Sequence, residues 1–194
     1  NYKETESEPA EFQVTKGTLV PVVRSIESKT YDGNTTAAGT LGLIAAEGSV
    51  IPAGDQAAVD TDNAVSGTFS WTSDAAGTNT VDVTNITLSD NLASKYTLST
   101  DQLSGETFGD ARILPAKVDE NDIGISNYSG VYDGEEHGIM LFLKGSTQYE
   151  LTFKDKDGNY TLTRSEWPYY TNAGDHIVEF RLTNENHEPY YGSG

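Results

Sequence analysis

The chain has 194 residues, and 30 acidic against 12 basic residues leave a formal net charge of −18. That balance excludes duplex nucleic acid as a partner, because phosphates require cations, and it disfavours anionic membrane surfaces. With no cysteine, no disulfide or thiolate site exists and each domain needs its own apolar core; 36% hydrophobic residues and abundant Tyr and Thr suit an all-β chain.

Residues 1–17 open the chain as an acidic tail or linker, with Glu4, Glu6, Glu8 and Glu11 and little apolar content. A first strand follows, with Leu19, Val20, Val22 and Val23 around Pro21, which restricts it to an edge or to its start. Tyr31-Asp32-Gly33-Asn34 is a turn, because Asp caps its own backbone and Gly accepts positive φ. Leu41, Leu43 and Ile44 give a buried strand. Residues 47–63 are rich in Ala, Gly and Asp and show no clear period. Phe69 and Trp71 then share one face of an alternating stretch. After the turn at Asp74–Gly77, Val81 and Val83 point one way and Ile86 and Leu88 the other, which an extra residue near Asn85 explains as a bulge or strand end. Tyr96 and Leu98 follow, and Thr107, Phe108, Ile113 and Leu114 close a first module over residues 18–115. Residues 111–117, stiffened by Pro115, read as a short joint or as an ordinary loop.

The second module, residues 116–194, starts with Ile123, Ile125 and Tyr128 before Tyr132-Asp133-Gly134. The apolar run Ile139–Leu143 suits a strand covered on both sides. Leu151 and Phe153, then Tyr160 and Leu162, alternate around Asp155-Lys156-Asp157-Gly158-Asn159, a hairpin with an Asp-Gly turn. Trp167-Pro168-Tyr169-Tyr170 is a loop or edge. Val178, Phe180 and Leu182 alternate with Glu179 and Arg181, and Tyr190-Tyr191-Gly192 comes last. This module is expected to lack its last strand, with the whole stretch an excerpt of a longer protein.

The two modules share their punctuation. Tyr-Asp-Gly occurs at 31–33 and at 132–134, and Ala-Gly at 76–77 and 173–174. In both, apolar residues stand four and six places after the second glycine, so the chain reads as an internal repeat. Short strands between turn signals point to two tandem immunoglobulin-like β-sandwiches, with a β-grasp arrangement as the rival.

Ser28-Lys29-Thr30-Tyr31-Asp32-Gly33-Asn34-Thr35-Thr36, with Asp74-Ala75-Ala76-Gly77 and Lys95-Tyr96-Thr97-Leu98, resembles the bacterial YDG repeat domain. The resemblance covers roughly Thr18 to Leu114. The second module, from Tyr132-Asp133-Gly134 through Thr171-Asn172-Ala173-Gly174-Asp175, is similar to the MBG-type repeats that accompany YDG domains. It departs from their commoner pattern in carrying His176 where Tyr is usual, the place of a tyrosine-corner residue. The resemblance implies a segment of a large secreted or cell-surface bacterial protein of the adhesin kind.

Chemistry-bearing groups are few. Asp155 to Asn159, with Glu166 at the twelfth place, matches the start of a calcium loop, but the strand-like alternation after it and the lack of flanking helices favour a plain turn. His137, His176 and His187 match no compact zinc spacing. No nucleophile elbow or phosphate loop is present, so neither an enzyme nor a cofactor is expected. Lys117 with Asn184 or Asn186 is the pair that an isopeptide bond would use. Tyr31 and Tyr132 read as structural plugs near their turns. Trp167, Tyr169, Tyr170, Tyr190 and Tyr191 are the candidate binding residues, as an aromatic platform for a glycan or protein; the competing reading packs Trp167 in the core and lays the tyrosines over strand edges. The expected function is a non-catalytic spacer or adhesion segment at the bacterial surface or secreted, with no nucleic-acid partner and no membrane insertion. The alternative is a carbohydrate- or protein-binding module using those aromatics.

Overall fold

A computed structural model of the chain describes residues 11–194, so the tail reading for Glu4, Glu6 and Glu8 lies outside the described residues. In chain order the strands are β1 (Gly17–Ile26), β2 (Lys29–Thr30), β3 (Gly39–Ala45), β4 (Val65–Trp71), β5 (Val81–Leu88), β6 (Tyr96–Leu98) and β7 (Leu103–Glu106). They continue as β8 (Ile113–Leu114), β9 (Ile123–Ser126), β10 (Met140–Leu143), β11 (Glu150–Lys154), β12 (Tyr160–Leu162), β13 (Glu179–Asn184) and β14 (His187–Ser193). Two short helices, α1 (Ala53–Val59) and α2 (Asp90–Ala93), interrupt the first half. The protein is all-β, with several small sheets. Its contacts form two compact units that interleave in sequence. Unit one holds the described residues up to Glu27, Thr36–Ser70 and Thr80–Gly109; unit two holds Ser28–Thr35, Trp71–Asn79 and Asp110–Gly194.

Unit one contains the sheets β3-β1-β6 and β4-β5-β7. Leu19, Leu41, Val81 and Val83 are at most 2% exposed. The two sheets meet at Gly67, where a Cβ would lie 2.9 Å from Val83 Cγ1 on β5 and 3.0 Å from Leu41 Cδ1 on β3. β1 pairs antiparallel with β3 but parallel with β6, which departs from the wholly antiparallel sheets of an immunoglobulin layout. Pro21 sits inside β1, yet β6 reaches only as far as Leu19. The backbone of Gly17 and Leu19 faces β6, so Pro21, of the same parity, lacks its N–H on the side that β6 has already left. Asn85 adopts a left-handed φ of 54°, and Val81, Val83 and Ile86 are all buried: the expected change of parity happens there. The stretch 47–63, unreadable as a period, holds α1, whose Val59 is buried.

Unit two contains the four-stranded sheet β12-β11-β13-β14 and the hairpin sheet β10-β9. Phe153, Phe180 and Leu182 form the fully buried centre of its core, with Ile123, Leu141 and Leu143 packed from the hairpin. The expectation that 139–143 is covered on both sides is corrected: Met140 is 57% and Phe142 49% exposed. They stand opposite Ser126 and Gly124, so β9–β10 buries only its other face. The Asp-Gly hairpin forms as expected. Asp155 accepts hydrogen bonds from the N–H of Asp157 and of Asn159 and from the Thr161 hydroxyl at 2.9, 2.9 and 2.6 Å, and Gly158 takes φ +90°.

The repeat is visible in the backbone. Copy one spans β1 to β7 and copy two β9 to β14. Each pairs an antiparallel hairpin, β1–β3 or β9–β10, with a later sheet, β4-β5-β7 or β11-β13-β14. In each, the residue four after the Asp makes an isolated antiparallel bridge, Thr36 to Ser70 and His137 to Tyr170. In each, the next strand begins seven after the Asp, at Gly39 and at Met140. Val81, four after Gly77, pairs with Glu106, and Val178, four after Gly174, exchanges both backbone hydrogen bonds with Gly194.

Candidate functional site

The two Tyr-Asp-Gly turns are built alike. Asp32 accepts from Asn34 N–H at 3.2 Å and Asp133 from Glu135 N–H at 2.9 Å, an Asx turn that Gly33 (φ +74°) and Gly134 (φ +82°) complete. Each Asp also takes a second, side-chain partner. Lys29 Nζ donates to Asp32 Oδ1 at 2.6 Å, and His137 Nε2 donates to Asp133 at 2.8 and 3.1 Å. These bonds are the largest reason that both carboxyls are held below the ordinary value of 3.8.

In copy two the turn borders a groove of about 370 Å³. Residues 127–133 form one wall and 171–176, including Ala173-Gly174, the other; Ile139, Val178 and Gly194 also line it. Two ring stacks stand in these walls. Tyr128 lies on His137 with centroids 3.7 Å apart and planes 4° apart, and Tyr170 lies on His176 at 4.2 Å and 6°. The backbones of His137 and Tyr170 exchange hydrogen bonds of 3.0 and 2.9 Å, tying the stacks together. His176 Nε2 donates to the Asn172 carbonyl at 2.9 Å, which fixes its ring.

The corresponding place in copy one is occupied. β8 runs between its two turns, parallel to β2. Lys29 N–H donates to Arg112 O and Tyr31 N–H to Leu114 O on one side. On the other side Gly77 N–H donates to Ile113 O at 2.7 Å, and Ile113 N–H to Thr78 O at 2.9 Å. Ile113 is fully buried there. The segment 111–117, read from sequence as a joint or an ordinary loop, therefore carries the short strand β8 at Ile113–Leu114, which pairs with residues 29–31 and 77–78 within unit two.

A YDG domain is found at residues 15–103. The match takes in the Tyr31-Asp32-Gly33 turn and the Ala76-Gly77 turn of copy one, and it stops before β8. Copy two lies outside the YDG domain match. No curated protein and no solved structure matches the chain.

Beyond the YDG domain, the five aromatics singled out from sequence do not share one surface. Trp167 joins the core side of unit two, its ring 4.6 Å from Phe153. Tyr190 packs beside Phe180 at 6.2 Å, while its neighbour Tyr191 points to the opposite face of β14 and meets Tyr160 edge-on at 5.3 Å. Tyr169 is 53% exposed and lies against Gly138. Of the five, only Tyr170 lines the groove. Tyr31 packs edge-on against His187 at 5.6 Å, as a plug would. Tyr132, read as its equivalent, is instead 68% exposed at the groove rim, because no strand covers it. His137 and His176 were not singled out as binding residues. Their signal was position: four after the repeated Asp and two after the repeated Gly.

The remaining groups are spent on structure. Glu166 accepts from Thr163 N–H at 3.1 Å in a capping box rather than facing Asp155. Among the described residues no cluster of three metal-ligating side chains occurs. Lys117 is exposed. The Asn184 carboxamide bonds the Gln148 carbonyl at 2.8 Å, and Asn186 Oδ1 accepts from Ala76 N–H at 2.8 Å.

Proposed function

We propose that this chain is a non-catalytic repeat segment of a bacterial secreted or cell-surface protein, a YDG domain followed by an MBG-like repeat, serving as spacer or presenting surface. The observation that carries the reading is the repeat itself: the same hairpin, Asp turn and later sheet are laid down twice at matching offsets. Carboxylates that could have done chemistry, Asp32, Asp133 and Asp155, hold backbone turns instead. Mechanical unfolding of the chain between fixed handles tests it. A load-bearing spacer gives reproducible, discrete unfolding steps at substantial force; featureless extension at low force speaks against the role.

A second reading is favoured by Tyr132 and Tyr169, which are more than half exposed beside the groove: copy two binds a glycan or protein through them. A glycan array separates the two readings. Binding that disappears in Tyr132→Ala supports recognition, whereas silence across the array supports the spacer.

A further inference from the structure

One face of the β12-β11-β13-β14 sheet carries the core of unit two. On the opposite face the register sets Thr152 beside Arg181, and Arg181 beside Tyr191, across neighbouring strands. Tyr160 opens β12 at one edge and Tyr191 stands on β14 at the other, with β11 and β13 between them. Their rings nevertheless meet edge-on at 5.3 Å, so both lean inward across the sheet, and the Arg181 guanidinium stands 5.6 Å from the Tyr160 ring centre. Two polar atoms in this layer, Thr152 Oγ1 and Arg181 Nε, are buried with no hydrogen-bond partner among the described residues, and Thr152 is only 7% exposed. The carboxylate of Glu179, on the same face, takes Lys154 Nζ at 2.8 Å. Neither it nor Glu150, exposed farther along that face, pairs with Arg181 among the described residues. The face therefore holds an unanswered cation beside an unanswered hydroxyl, under aromatic cover. Tyr191, 57% exposed, is the ring that moves aside to admit a ligand to both.

We propose that this face binds a short acidic saccharide, with a uronate carboxylate on the Arg181 guanidinium and the Thr152 hydroxyl and the sugar ring against Tyr191. The planar fork of arginine matches a carboxylate through two parallel hydrogen bonds, and the tyrosine face suits the C–H side of a pyranose. The inner strands β11 and β13 spend their backbone groups in the ladder. The face thus offers side chains alone, and an extended acidic peptide would gain no main-chain partner. The charge of −18 opposes long polyanions, yet charges beyond about 8 Å are largely screened at physiological ionic strength, so a short stretch binds. The surface is separate from Tyr132 and Tyr169, and the inference stands apart from the spacer reading.

The test titrates the whole chain with tetragalacturonate at physiological ionic strength, by calorimetry and by amide shifts in nuclear magnetic resonance. The acid binds, the shifts centre on Thr152, Arg181 and Tyr191, and the methyl ester, with the same rings but no charge, binds about tenfold more weakly or less. Arg181→Gln and Tyr191→Ala each weaken binding by about tenfold while the far-ultraviolet spectrum is kept. Tyr191 is exposed, so its variant decides alone if Arg181→Gln does not fold. Lys156→Gln, which removes an exposed cation from the neighbouring turn, leaves binding unchanged. Absence of binding, equal binding of the ester, binding indifferent to the Arg181 or Tyr191 variant, or tighter binding of tetraglutamate each overturns the proposal.

Discussion

Copies one and two have the same turn and opposite surroundings. Asp32 is clamped by Lys29 beneath an inserted strand; Asp133 is clamped by His137 beside open space. The comparison teaches that the Asp turn is self-sufficient. It forms whether or not a strand covers it, because its bonds come from within five residues of sequence. What differs is the tyrosine of the motif: Tyr31 has a strand and a histidine beside it, whereas Tyr132 has neither and stands in solvent.

That contrast can be broken or sharpened in four ways. The largest effect is expected from Phe180→Ala, which empties the fully buried centre of unit two and costs about 3–5 kcal/mol. Urea unfolding followed by tryptophan fluorescence reads it, and a loss below about 1 kcal/mol would mean that copy two is loosely packed. Next comes Ile113→Ala, which leaves a cavity in the occupied groove and costs about 2–5 kcal/mol. Phe12→Ala, at a residue 90% exposed, costs nothing measurable in the isolated chain. Equal effects at the two positions would mean that the occupied groove does not hold Ile113.

Gly33→Ala and Gly134→Ala should each cost about 1 kcal/mol, because both glycines hold positive φ with open space around them. Thermal melts giving unequal costs would show that the turns are not equivalent. The smallest effect is on acid stability. Both Asp carboxyls are depressed in the folded chain, so their contribution is present above 3.8 and is lost as pH falls below it through the folded-state values. Asp32→Asn and Asp133→Asn should each flatten the acid limb of the stability curve; an unchanged limb would show that the clamps carry no linkage.

Local pattern was legible wherever neighbours in sequence decide the outcome. Val178, Phe180 and Leu182 alternate and are all at most 3% exposed, and the Asp155–Asn159 turn reads directly as a hairpin. The repeat was legible because its offsets are fixed by the turns. Other features depended on distant partners. β8 pairs with a strand some eighty residues earlier, and Ile113-Leu114-Pro115 carries no mark of that pairing. Met140 and Phe142 look like core residues, but whether a second layer covers them is not written in their own strand. The groove was illegible for the same reason, since its walls come from segments about forty residues apart.

Pro21 has one more consequence. Its missing N–H falls on the flank of β1 just where β6 stops, and its ring is fully buried there, so the ladder ends under cover with no unpaired donor left behind it. The pairing of β1 on that side is thus closed by a buried ring rather than by a longer neighbour strand.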